Sequence, residues 1–152
     1  MALTSRIEYR FATKEDQESI YDFAMRAIAE SILPRFAEDA GEDLSERITN
    51  GDPHNVAIAT DLDLDSGIVG FIEIDPSRSN KKSEVYIRGI FVLESHRRMG
   101  IGNKLIKMML EEHSRRGDQL FVEAFTEDGL RFWQSFGFKI DHFALSYQPN
   151  DN

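Results

Sequence analysis

The segment His96-Arg97-Arg98-Met99-Gly100-Ile101-Gly102-Asn103 holds the residues best suited to chemistry. Gly100 and Gly102 open a long helical pattern, and two arginines precede them. Free backbone N–H groups at a helix start, beside glycines that let a ligand approach the chain closely, make a cradle for a phosphate or pyrophosphate. Arg97 and Arg98 concentrate positive charge in a chain with 27 acidic and 18 basic residues and a net charge of −9. The same glycines also suit a plain tight turn from strand to helix, so spacing alone leaves both readings open. Two other phosphate motifs are excluded. Leu105 stands where the third glycine of a dinucleotide fingerprint belongs, and no Gly-Lys-Ser/Thr of a Walker loop follows.

Other chemistries are removed by composition. With no cysteine, the chain can form neither disulfides nor thiolate metal sites, and no mechanism can pass through an acyl-cysteine. His54, His96, His113 and His142 lack a second histidine or a carboxylate at zinc-site spacing, so no metal is expected. The acid excess repels phosphate backbones and favours cationic partners, which disfavours nucleic acid. No apolar stretch approaches the roughly 20 residues that span a bilayer, so no membrane association is expected. Met1 to Arg6 contain no run of signal-peptide length, and a cytoplasmic location is the expectation. At 152 residues and 41% hydrophobic, the chain is read as one domain over 1–152.

The elements that must position the loop follow from periodicity. Arg6 to Phe11 alternates as a half-buried strand. Thr13 opens a helix with Glu15 and Asp16 at its positive end and an apolar stripe of Ile20, Phe23, Ala24, Ala27 and Ile28. Pro34 starts a second helical stretch with Phe36, Ala37, Ala40, Leu44 and Ile48 on one face, ended by Asn50-Gly51. Strands are expected at Asn55 to Thr60, Ile68 to Asp75 and Glu84 to Val92. Gly100 to Arg116 reads as a helix with Ile101, Leu105, Met108 and Met109 inside, stopped at Gly117. Leu120 to Phe125 reads as a strand, Glu127 to Phe136 as a short helix, and Phe138 to Tyr147 as a last strand or pair. The expected class is therefore α+β (mixed α/β), with a single central, mostly antiparallel, twisted sheet flanked by helices. Within Val85 to Val92 the inward set runs 85, 87, then 90, 92, a slip of parity at Arg88-Gly89 that signals a β-bulge.

These features together resemble the GNAT superfamily of acetyltransferases. The family's Arg/Gln-x-x-Gly-x-Gly/Ala signature is matched by Arg97-Arg98-Met99-Gly100-Ile101-Gly102 after Ile90-Phe91-Val92. Phe132-Trp133-Gln134-Ser135-Phe136-Gly137-Phe138 is similar to its Phe-Tyr-x-x-x-Gly-Phe element. Arg10-Phe11-Ala12-Thr13-Lys14-Glu15-Asp16 is similar to its opening Arg-x-Ala-x-x-x-Asp. The likeness runs from Arg6 to Tyr147. It implies a GNAT-like fold, acetyl-coenzyme A as acyl donor, and a bulged strand splayed from its neighbour to admit the pantetheine arm. It also implies cofactor contacts from Phe91, Val92, Arg97, Arg98, Met99, Gly100, Ile101, Gly102, Asn103, Thr126, Phe132 and Trp133.

The implied reaction is direct transfer of acetyl to a primary amine of a small molecule or peptide within a ternary complex. Such a step needs a base for the amine proton, a donor to the carbonyl oxygen and an acid for the leaving thiolate. By resemblance the oxyanion donor is the Ile90 amide. The glutamate of the histone-acetylating members is Tyr86 here. If the loop from Pro76 to Lys82 makes a simple hairpin, Glu73 pairs with Tyr86 and Asp75 with Glu84, which makes Glu73 the preferred base and Glu84 the second. Trp133 occupies the place of a tyrosine that protonates the thiolate in many members, and an indole N–H is no such acid, which leaves Tyr86 or solvent. Thr126 and Gly129 replace the family's asparagine and alanine. The likeness places the acceptor near the first two helices and the loops close to the C-terminus, with Glu30, Arg35, Glu38 and Asp39 as lining candidates, and the acid excess leans toward a cationic amine. A monomer or homodimer is equally compatible. Two other readings stay open: a non-catalytic acyl-coenzyme A sensor, and an acyltransferase for a longer acyl group.

Overall fold

The computed structural model describes residues 6–31, 52, 55–64, 67–75, 83–124 and 126–149, with the side chains of 27–31 left aside. Two compact units are resolved by their internal contacts, 1–122 and 123–152. The expected second helix from Pro34, the loop 76–82, the Glu30 side chain and Arg35, Glu38 and Asp39 lie outside the described residues.

The first unit is a five-stranded sheet in the order β1 (Ile7–Phe11), β2 (Val56–Asp61), β3 (Ile68–Asp75), β4 (Glu84–Val92), β5 (Gln119–Val122). Pairs β1 to β4 are antiparallel, and β5 returns parallel to β4 after the helix α2 (Ile101–Arg116). This is the mixed, mostly antiparallel sheet that the alternating segments predict. β3 is buried at every residue, because helices cover both of its faces. On one face Phe23 of α1 (Gln17–Ser31) meets Phe71 edge-on at 5.5 Å, and Phe71 stacks on Phe91 of β4. On the other face α2 lies so close that a Cβ on Gly70 would stand 3.3 Å from Ile101 Cγ2 and 3.2 Å from Phe91 O. Glycine is the residue that this approach permits.

The apolar stripe of α1 is seen in buried Ile20, Phe23 and Ala24. Before it, Thr13 precedes a 3-10 turn, Lys14–Asp16, rather than the helix itself. Asp16 takes two 2.6 Å bonds from the Arg10 guanidinium and one of 2.7 Å from the Thr13 amide. The spacing of Arg10 and Asp16 therefore staples the end of β1 to the start of α1. Hydrogen bonding from Arg10 holds the Asp16 carboxyl down at about 2. In α2 the core side is Ile101, Leu105, Ile106, Met109 and His113, so Ile106 replaces Met108 in the expected stripe. The helix ends at Gly117, in the left-handed region, as its C-cap pattern predicts.

The second unit contains α3 (Glu127–Gln134), capped by Thr126, whose hydroxyl oxygen accepts from the Gly129 amide at 3.0 Å. Gly137 has positive φ, and the Phe138 amide donates back to Trp133 O. That return brings the Phe138 ring edge-on to Trp133 at 5.3 Å. The expected strand at Phe138 to Tyr147 is not found: no ladder includes these residues, and Phe143, Leu145 and Tyr147 are exposed. Alternation of Phe143, Leu145 and Tyr147 describes a pleat with one apolar face, but a strand also needs an edge to pair with. Among the described residues no helix is long and apolar enough to cross a membrane.

Candidate active site

β4 leads directly into the glycine loop. After Val92 the chain passes Leu93 and a 3-10 turn, Glu94–His96, before α2 begins. The Leu93 amide donates to Val69 O at 2.9 Å, which ties this turn to β3. Arg97 is extended, and its Nε donates to Val92 O at 3.1 Å. Arg98 (φ 63°) and Gly100 (φ 80°) are both left-handed. Gly100 is the N-cap of α2, and no side chain caps it. The first-turn amides thus have no intrahelical acceptor, and they stand at the positive end of a 16-residue helix. A Cβ on Gly100 would meet nothing within 4 Å. Arg97, Arg98, Met99 and Asn103 are exposed, while Ile101 is buried as the helix anchor. Gly102 differs from Gly100: its Cβ would lie 3.7 Å from Ile90 Cδ1 and 3.9 Å from Val92 Cγ2, so it faces the sheet. An exposed, uncapped helix start with two arginines beside it is suited to hold an anion.

The bulge falls where parity slips. Gly70 to Glu73 pair with Val92 to Gly89 in one register, and Ile74 and Asp75 pair with Ile87 and Tyr86 in another, which leaves Arg88 as the extra residue. Glu73 therefore opposes Gly89, and Asp75 opposes Tyr86. This corrects the simple-hairpin pairing of Glu73 with Tyr86 and Asp75 with Glu84: Asp75 is displaced by two residues and Glu73 by three, and the bulge accounts for the one residue by which they differ. The bulge also decides where amides point. Since the Leu93 amide bonds Val69, alternation directs those of Phe91 and Gly89 to β3 and those of Ile90 and Val92 to the opposite edge. On that edge the ladder with β5 ends at Ile87 and Val122. The Ile90 amide thus lies three residues beyond the last pair with β5, along a stretch of β4 that has no strand neighbour on that edge among the described residues.

The carboxylates sit on the α1 face. Glu73 and Asp75 are each only 4% exposed, and the half-exposed Arg88 reaches both, with Nε 3.4 Å from Glu73 Oε1 and Nη2 2.7 Å from Asp75 Oδ2. Sequence reasoning missed this bridge. Its signal was present in a basic residue at the parity slip facing two acids at i and i+2 of the preceding strand. Tyr86 stacks on Phe121 at 5.0 Å, and the half-buried Glu84 pairs with Gln119, farther from the bulge. His96, which stands alone in the sequence, is buried and bonded through Nε2 to Asp61 Oδ2 at 2.9 Å. In the second unit Phe132 is exposed, Trp133 is buried, and the two rings meet edge-on.

The family model described as the acetyltransferase (GNAT) family matches residues 18–138. The chain belongs to the GNAT family of acetyltransferases. No curated protein sequence matches it. Among solved structures it is similar to the aminoglycoside N-acetyltransferase AAC(6')-Iy in complex with CoA, at 20% identity over 99% of each chain and a TM-score of 0.69. The same enzyme with a bisubstrate analogue, CoA-S-monomethyl-acetylneamine, matches at 20% identity over 97% of this chain and 100% of that one, with a TM-score of 0.68. The PaiA N-acetyltransferase from Thermoplasma acidophilum in complex with coenzyme A matches at 20% identity over 91% and 93%, with a TM-score of 0.64. These likenesses show the GNAT fold. The glycine loop, the bulged β4 and the Trp133 helix all fall within the matched residues.

Proposed function

We propose that this GNAT chain transfers the acetyl group of acetyl-coenzyme A to a primary amine of a small molecule or peptide by direct attack in a ternary complex. The uncapped start of α2 carries the reading: open space at Gly100, free first-turn amides and two exposed arginines sit at the end of a bulged strand. A pyrophosphate satisfies amides that otherwise depend on water, and Arg97 and Arg98 add charge-assisted bonds. Neighbours of the same fold, solved with CoA, support the same donor.

The Ile90 amide on the open edge of β4 is the donor to the thioester carbonyl oxygen. As the amine nitrogen bonds to the carbonyl carbon, the oxygen gains charge that this N–H stabilises. The C–S bond then breaks, and the thiolate takes a proton from Tyr86 or solvent. Glu73 is the preferred base, acting directly or through water, since it sits opposite Gly89 and next in the ladder to Ile72 and Ile90. Glu84 lies at the far end of β4 and ranks second. Arg88 partners Glu73, so the acceptor amine reaches this carboxylate in competition with a guanidinium. The acid excess of the whole chain favours a cationic acceptor, and the neighbour's acetylneamine analogue is an amino-sugar of that kind.

The test is a panel of neamine, spermidine and a lysine peptide with acetyl-coenzyme A, read by thiol release and by the mass of the product amine. Amine-dependent thiol release with an acetylated amine is expected. Coenzyme A binding without turnover on any amine would replace the enzyme by an acyl-coenzyme A sensor. The substitution of the family tyrosine by Trp133 is what keeps that second reading in view.

A further inference from the structure

We propose that Asp61 and His96 form a positioning pair that holds the glycine loop in its ligand-binding shape. The inference rests on the reading of residues 97–103 as a pyrophosphate cradle. Asp61 ends β2 and is only 2% exposed, and it is 35 residues from its partner. Its Oδ1 accepts the Asp63 amide at 3.0 Å, and its own amide donates to Gly67 O, so the carboxylate is fixed by the turn between β2 and β3. Its Oδ2 meets His96 Nε2, and His96 Nδ1 meets Ser95 Oγ at 2.7 Å. With a proton on Nε2, Nε2–H donates to Asp61 and Nδ1 accepts from the Ser95 hydroxyl, which satisfies all three groups.

The loop needs such an anchor. Between His96 and the buried Ile101 it contains two left-handed residues, and one of them, Arg98, carries a side chain. A non-glycine residue there is strained and persists only where the surroundings hold it. α2 fixes the downstream end through Ile101 and Leu105. At the upstream end, His96 is the last residue of the 3-10 turn and the buried side chain within it, while Leu93 before it is buried as well. Without the bond to Asp61 the chain from His96 to Met99 can relax toward ordinary backbone angles. Arg97 and the amides before Ile101 then lose the geometry that an anion needs.

The test is titration calorimetry with coenzyme A and with S-acetylpantetheine, which lacks the pyrophosphate. His96→Ala and His96→Phe should weaken coenzyme A by about tenfold and leave S-acetylpantetheine within about twofold. His96→Gln, whose amide N–H can reach Asp61, should keep coenzyme A within about threefold of the parent protein. His96→Phe retains the ring volume and carries the test if the alanine variant does not fold. Equal loss for both ligands, unchanged affinity in His96→Phe, or failure of His96→Gln to restore binding would overturn the positioning role. If the parent protein fails to bind coenzyme A, the cradle reading is wrong and the pair has nothing to position.

Discussion

Gly100 and Gly102 occupy equivalent places in the motif, yet the structure gives them different tasks, and alanine at each should separate fold from binding. At Gly100, φ is 80° and a Cβ would project into empty space. The strain of a left-handed alanine costs about 1–2 kcal/mol, which lowers Tm by roughly 2–8 °C in a chain of this size. If that space is where the pyrophosphate sits, the added methyl occupies it, and coenzyme A affinity should fall by about tenfold or more. At Gly102 the Cβ would make ordinary contacts at 3.7 and 3.9 Å with Ile90 and Val92. Alanine there should leave the fold unchanged or raise its stability by up to about 1 kcal/mol through helix propensity, with coenzyme A binding retained. Thermal melts and calorimetry on the two variants decide the matter. Loss of binding in Gly102→Ala together with normal binding in Gly100→Ala would refute the assignment of the open space to the ligand.

Arg97→Ala should weaken coenzyme A by roughly tenfold at low salt and by less at high salt, because the lost contact is charged; calorimetry at two ionic strengths checks it. Glu73→Gln should preserve coenzyme A affinity and lower turnover by about 10²–10⁴, with partial recovery at high pH, whereas Glu84→Gln should do little; rates across pH on an accepted amine decide between them. Asp16 is held at about 2 from an ordinary 3.8, chiefly by Arg10. Because its folded value is depressed, its contribution is complete above the ordinary value and is lost as pH falls toward about 2. With Arg10 two-fifths exposed, that contribution is about 1 kcal/mol, and urea melts should show Asp16→Asn less stable by this amount at about pH 6, with the gap closing as pH falls from about 4 toward about 2.

Local signals made much of this fold legible. The slip from 85 and 87 to 90 and 92 located the bulge, because side-chain parity in a strand is fixed by its pleat. Gly100 and Gly117 marked both ends of α2, since only glycine takes the left-handed caps cheaply. Register was not legible in the same way. Pairing of Glu73 depends on how many residues the bulge and the preceding loop insert, and a simple hairpin puts it opposite the wrong partner. The Arg88 bridge and the Asp61–His96 bond were hidden because they join residues on different strands or turns, brought together only by the sheet. The alternating Phe143, Leu145 and Tyr147 show the converse: a strand-like period without a ladder.

The proposed reaction is direct acetyl transfer from acetyl-coenzyme A to an amine in a ternary complex. Initial rates with both substrates varied test it most directly, using the amine that the panel identifies. Direct attack predicts intersecting double-reciprocal lines, because both substrates must be bound before either product leaves. Parallel lines, the pattern of an acyl-enzyme intermediate, or a rate independent of amine would contradict the account.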